Sequence, residues 1–182
     1  MPDSFSALAG QFFGLVSLIL CVGAFSSKRD ERLMVLLILA NVAFALQFIF
    51  FESWTAAALT GLVIVRIALA RRYPGSLGVM ACVLTASLVT TWLTWQSLAD
   101  LPALLAMIFG TTGMFLLRGI PMRIFLGLAA LFWMLSQILA GSIGGTIAEA
   151  LVIVTNAITL YRLYRAKRRY PEAFEAAVSK ED

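Results

Sequence analysis

The chain contains no histidine. That removes the imidazole from its usual work as general base, proton shuttle and metal ligand, so histidine-based catalysis and histidine metal sites are excluded. Cysteine is nearly absent as well, with Cys21 and Cys82 each inside an apolar stretch. Two such thiols make no disulfide framework and read as buried side chains. Charge is the third shortage. Only 13% of residues are charged, against about a quarter in an ordinary soluble domain. So little polar surface cannot face water on all sides. The net charge of +4 does not point to nucleic acid, because the basic residues fall in short clusters between apolar runs.

What fills the chain is apolar: 61% of its 182 residues are hydrophobic and the mean hydropathy is +0.92. Apolar segments recur at close to the ~20 residues that cross a bilayer core of roughly 30 Å as helix. The fold class is an all-α integral membrane protein with seven transmembrane helices. They are expected over Ala7–Phe25, Leu33–Phe51, Thr55–Ala70, Leu77–Trp95, Leu101–Leu117, Ile124–Leu139 and Ile143–Tyr164. The first is kept as a membrane helix and not a signal peptide, because Asp3 stands where a positive n-region is needed. Cys21 follows Leu20, not a small residue, and makes a poor lipoprotein site. Asp100 reads as an N-cap, with Pro102 in the first turn of helix five. Gly119 and Pro121 mark a turn from Arg118 to Arg123.

The basic clusters set the topology. Lys28, Arg29 and Arg32 follow helix one. Arg71 and Arg72 follow helix three, and Arg118 and Arg123 follow helix five. Arg162, Arg165, Lys167, Arg168 and Arg169 end helix seven. The turns after helices two, four and six carry no Lys or Arg. By the positive-inside rule the N-terminus is outside and the C-terminus cytoplasmic, a parity that requires an odd helix count.

The chain also repeats itself. Val63-Ile64-Val65 matches Val152-Ile153-Val154, Arg71-Arg72-Tyr73-Pro74 matches Arg168-Arg169-Tyr170-Pro171, and Gln47 matches Gln137. Helices one to three therefore pair with helices five to seven, both entering the membrane in the same direction. That is a 3+1+3 parallel repeat of triple-helix bundles, as in SWEET transporters. The first bundle covers residues 1–75, linker helix four 76–98, the second bundle 99–169, and a cytoplasmic tail 170–182.

Few residues could carry chemistry. Glu149 lies two turns into helix seven, where a carboxylate is costly and so a candidate for proton coupling or solute binding; otherwise it fixes the preceding turn by bonding its backbone. Asn156 and Asn41 are mid-helix amides that either read a polar solute or join helices. Trp133 in helix six either walls a pocket or simply packs, and Ser136 and Gln137 a turn further on add polarity to that helix. Arg66 reads as a snorkelling side chain reaching the inner interface. Gly141, Gly144 and Gly145 form a tight turn before helix seven, and the Gly110-Thr111-Thr112-Gly113 run serves close packing. No paired carboxylates, metal-ligand spacing, phosphate loop or nucleophile–base pair is present, so neither an enzyme nor a cofactor is expected.

Ala140-Gly141-Ser142-Ile143-Gly144-Gly145-Thr146, followed by Glu149, Asn156 and Arg162, with Trp133 upstream and Arg29-Asp30-Glu31-Arg32 near the start, resembles the bacterial inner-membrane YgjV family. The resemblance implies a bacterial inner-membrane location and a layout similar to the SWEET/PQ-loop group of triple-helix bundles. In that group an Asn of the third helix of each bundle faces the substrate. Asn156 fits that place; Val63 to Arg66 hold it in the first bundle without an Asn, which departs from a symmetric sugar site. The expected function is a small polar-solute transporter working by alternating access, with Asn156, Trp133, Glu149, Asn41 and Gln137 as site residues. The alternative is a non-transporting receptor or accessory protein. The expected partners are the lipid bilayer, a small polar solute and a second copy of the chain.

Overall fold

A computed structural model describes residues 4–26 and 30–169, with side chains over 4–23 and 35–169. Lys28 and Arg29, the side chain of Arg32 and the tail over 170–182 lie outside the described residues, and with them part of the first basic cluster and the second Arg-Arg-Tyr-Pro copy.

The described chain is all helix and turn. Its helices are α1 (Ser4–Ser26), α2 (Asp30–Phe50), α3 (Trp54–Arg72), α4 (Leu77–Thr94), α5 (Leu101–Leu116), α6 (Gly119–Leu139) and α7 (Ile143–Arg169), with a 3-10 turn at Leu98–Asp100. Six are long and apolar enough to cross a membrane; the apolar part of α2, Val35–Phe50, is shorter. Large apolar side chains face outward along the helices, Phe12, Ile19, Trp92 and Leu93 among them, as a bilayer requires and water does not. Cys82 is one of the outward residues, so only Cys21 is a buried thiol. Among the described residues nothing buries Cys82 on its face of α4.

Helix ends follow their local chemistry. Gly75 has φ +72° and ends the α3 exit after Pro74. Ser76 then caps α4, its Oγ accepting from the Val79 amide at 3.4 Å. The expected turn from Arg118 to Arg123 is shorter than the sequence suggests. Gly119 takes φ +60° and α6 begins there, because Pro121 falls in the first turn, where a missing amide proton costs nothing. Arg118 closes α5 by donating from Nη1 to the Met114 and Leu117 carbonyls. Asp100 does precede α5 but does not cap it. Its Oδ2 turns back to accept from the Gln96 and Ser97 amides at 2.8 and 3.0 Å, capping the 3-10 turn instead. At its far end α7 runs to Arg169, beyond the expected Tyr164.

Packing joins α1 to α2, α2 to α3, α5 to α6 and α6 to α7, while α1 also packs on α7 and α3 on α5. Helix α4 touches α3 and α5. Three hydroxyls of α4, Ser87, Thr91 and Thr94, lie within bonding distance of the carbonyl four residues back, and Thr94 also meets the Thr55 hydroxyl of α3 at 3.0 Å. The main apolar core joins Phe48 of α2, Leu59 and Val63 of α3, Val83 of α4 and Met107 of α5. A second cluster joins Cys21, Ala40, Phe44 and Ala148.

Candidate functional site

The start of α7 is built from small residues because three helices converge on it. A side chain on Gly144 would meet the backbone of Gly14 and Leu15 in α1. One on Gly145 would meet the Gln137 amide of α6. Only glycine lets these backbones approach so closely. Gly141 takes φ +76° to turn the chain from α6 into α7.

Polar groups then lock the junction. Gln47 donates from Nε2 to Gln137 Oε1 at 2.5 Å. Ser142 Oγ donates to Gln47 Oε1 at 2.9 Å and accepts from the Gly145 amide at 2.9 Å. Gln11 of α1 donates to the Gly141 carbonyl at 2.6 Å and accepts from the Ile143 amide at 3.1 Å. Gln47, Gln137 and Ser142 are buried. Glu149 takes no part in this. The reading that its carboxylate fixes the turn is corrected: Gln11 and Ser142 do that, being short enough and close enough in the fold to reach the free amides.

Below this junction lies a cavity of about 470 Å³. Its walls come from Cys21 of α1, from Asn41, Phe44 and Phe48 of α2, and from Thr60, Val63, Arg66, Ile67 and Arg71 of α3. Facing them are Met114 of α5, Arg123 and five further residues of α6 from Leu126 to Gln137, and Glu149, Val152, Thr155, Asn156 and Thr159 of α7. No residue of α4 lines it. All five residues singled out for a site, Asn156, Trp133, Glu149, Asn41 and Gln137, border this one space.

Their local bonding differs. Asn156 donates from Nδ2 to the Arg123 carbonyl at 2.8 Å, tying α7 to α6. Gly127 makes room for that amide, since a Cβ there would lie 2.9 Å from Asn156 Nδ2. Asn41 donates to the Leu37 carbonyl of its own helix at 2.9 Å. Both amides keep their carbonyl oxygens as spare acceptors. Trp133 packs against Phe48, ring centroids 6.2 Å apart. Glu149 is half-buried, borders the cavity, and forms no ion pair with Arg66.

Arg66 is placed quite differently from the snorkelling expectation. It is 6% exposed. Its guanidinium lies over Gly110 of α5, where a Cβ would collide with Nη1. The Nη1 donates to Met107 Sδ at 3.7 Å, and Nε has no partner. The side chain bends into the protein because α3 packs on α5 at that level and the missing Gly110 side chain opens a slot. Gly113 of the same run does serve packing: a Cβ there would lie 2.9 Å from Phe125 Cβ of α6. Gln11 and Ser142 were not among the expected site residues. For Gln11 the available signal was a polar residue on an apolar helix, which must find a partner; Ser142 lies in the turn between α6 and α7.

The cavity thus offers amide acceptors, one carboxylate, three arginines and aromatic walls, and is sized for a small metabolite. Among the described residues no group of three or more Cys, Asp or Glu could hold a metal ion.

Comparison with known proteins places these features in a lineage. Residues 8–167 match the family model Imp-YgjV, described as a bacterial inner membrane protein. The chain is similar to the inner membrane protein YgjV of Escherichia coli (strain K12), at 22% identity over 165 residues, covering 91% of this chain and 90% of that protein. No solved structure matches.

Proposed function

The chain belongs to the YgjV family of bacterial inner membrane proteins, and from that premise we propose that it is a transporter of small polar solutes. It is a multi-pass protein of the bacterial inner membrane. The observation that carries the transport reading is the cavity of about 470 Å³ lined by polar groups from α2, α3, α6 and α7, one of which, Gln137, belongs to the Gln47–Gln137–Ser142 network. In the transport reading this network is the outer seal, and the structure corresponds to one state of an alternating-access cycle.

The two halves are read as a parallel repeat, α1–α3 with α5–α7, and α4 as the linker. The packing supports this reading: under the exchange, the α1–α7 contact becomes the α5–α3 contact, and both occur. Val63 and its counterpart Val152 both line the cavity, as do Arg66 and the residues level with it in the repeat, Thr155 or Asn156. Gln47 and Gln137 bond each other, as equivalent residues near a two-fold axis would. In this reading the network end faces the periplasm and the arginine end the cytoplasm, in keeping with the positive-inside rule. Transport proceeds by rocking of one half against the other, with the Gln network breaking as the outer end opens.

The test is flux in proteoliposomes. Uptake of a solute that raises the unfolding temperature of the purified protein is expected in the wild type and lost in Asn156→Ala with the fold retained. Absence of uptake for every stabilising solute, with a co-purifying membrane protein, would favour a receptor or accessory role instead.

A further inference from the structure

We propose that the cavity binds a small soluble organic anion, and that Arg66 is the residue that pairs with its carboxylate or phosphate group. This rests on the transport reading above and narrows its substrate class. The decisive feature is the state of Arg66. A guanidinium carries five N–H donors and a charge it does not surrender. Buried arginines are ordinarily matched by carboxylates or backbone carbonyls, because an uncompensated buried charge is costly. Arg66 is 6% exposed, yet the described residues offer it only the thioether of Met107 as acceptor, and its Nε has none. It borders a cavity and is not sealed in the core.

The slot is specific. Gly110 leaves space for the guanidinium that any side chain would fill. Glu149, the carboxylate among the described lining residues, forms no ion pair with it. Arg123 also lines the space, so with Arg66 its walls carry an excess of basic over acidic side chains among the described residues. That balance attracts an anion and concentrates it in a low-dielectric cleft. An oxyanion reaching Arg66 would supply the charge-assisted hydrogen bonds that the protein itself withholds.

The experiment is thermal unfolding of the detergent-purified full chain with acetate, succinate, citrate and inorganic phosphate. Controls are glucose, ribose and glycerol, sodium chloride at equal ionic strength, and a separate arm with phosphatidylglycerol. Variants are Arg66→Gln, Arg66→Lys and Gly110→Ala. At least one soluble anion is expected to raise the unfolding temperature saturably. Arg66→Gln should weaken its apparent Kd by about tenfold or more, the scale of a lost charge-assisted bond, with Arg66→Lys between. Ligand-free Arg66→Gln should be no less stable than wild type, which a purely structural arginine would not allow. Gly110→Ala should weaken the same anion by displacing the guanidinium, and carries the test should Arg66→Gln fail to fold. Stabilisation by neutral solutes alone would overturn the anion assignment while leaving solute transport standing. Stabilisation by phosphatidylglycerol alone would overturn it in favour of a lipid site. An anion shift unchanged in both Arg66→Gln and Gly110→Ala would remove Arg66 from the site. No shift with any compound would count against both the anion and the transport reading.

Discussion

Gln47 and Gln137, 90 residues apart in sequence, meet side chain to side chain in the buried junction between α2 and α6. Both are buried: Gln47 donates to Gln137 and accepts from Ser142, and Gln137 accepts from Gln47. Gln47→Leu should cost about 1–3 kcal/mol, the range for leaving a buried polar partner unsatisfied. The double variant Gln47→Leu/Gln137→Leu should recover part of that loss. A double-mutant cycle on unfolding in detergent measures the coupling, and simple additivity would refute the interaction.

The glycines of α7 and α3 should behave oppositely. Gly144→Ala drives a methyl into the Gly14 and Leu15 backbone, forcing α1 off α7, at a cost of roughly 1–3 kcal/mol for overpacking. Gly61 of α3 has nothing within reach of an added Cβ. Gly61→Ala should be neutral or stabilising by about 0.5–1 kcal/mol, since alanine loses less conformational freedom in a helix. Unfolding temperatures of the two variants decide the matter.

Asp100 holds two amides of the 3-10 turn that leads into α5. Asp100→Ala should destabilise by about 1.5–3 kcal/mol, as for hydrogen bonds to a charged group. Asp100→Asn keeps a carbonyl oxygen at the same place and should retain most of the stability. Equal losses in the two variants would show that the charge, not the acceptor, matters.

Asn156→Ala removes the tie to the Arg123 carbonyl. An interhelical hydrogen bond of this kind is worth about 0.6 kcal/mol, so the fold should survive with a small drop in unfolding temperature. Gly127→Ala should perturb the same amide by crowding Nδ2. If the cavity is the solute site, both variants weaken binding of a stabilising solute far more than they weaken the fold.

Orientation is open to direct labelling. In a background with Cys21 and Cys82 replaced by serine, a cysteine at Ser97 should react with a membrane-impermeant maleimide added to whole cells with a permeabilised outer membrane. One at Gly75 should react only after the inner membrane is broken. The reverse pattern would invert the topology drawn from the basic turns.

The sequence alone determined the class, the helix count and order, and most of the turns, because hydrophobic length, glycine, proline and clustered arginine act locally; the turn before α6 proved shorter because Pro121 fits the first turn of that helix. It also pointed to Asn41, Trp133, Gln137, Glu149 and Asn156, since polar groups and an indole inside apolar helices stand out against their neighbours. Which of them meet was beyond it. Periodicity says that Gln47 and Gln137 need partners but not that they find each other, and it cannot tell a snorkelling Arg66 from one folded into a slot over Gly110. Those outcomes depend on which helices pack and how closely. Backbone approach at glycine is set by three-dimensional contact, so only the tertiary structure could join five scattered residues around one cavity and leave a buried arginine at its wall.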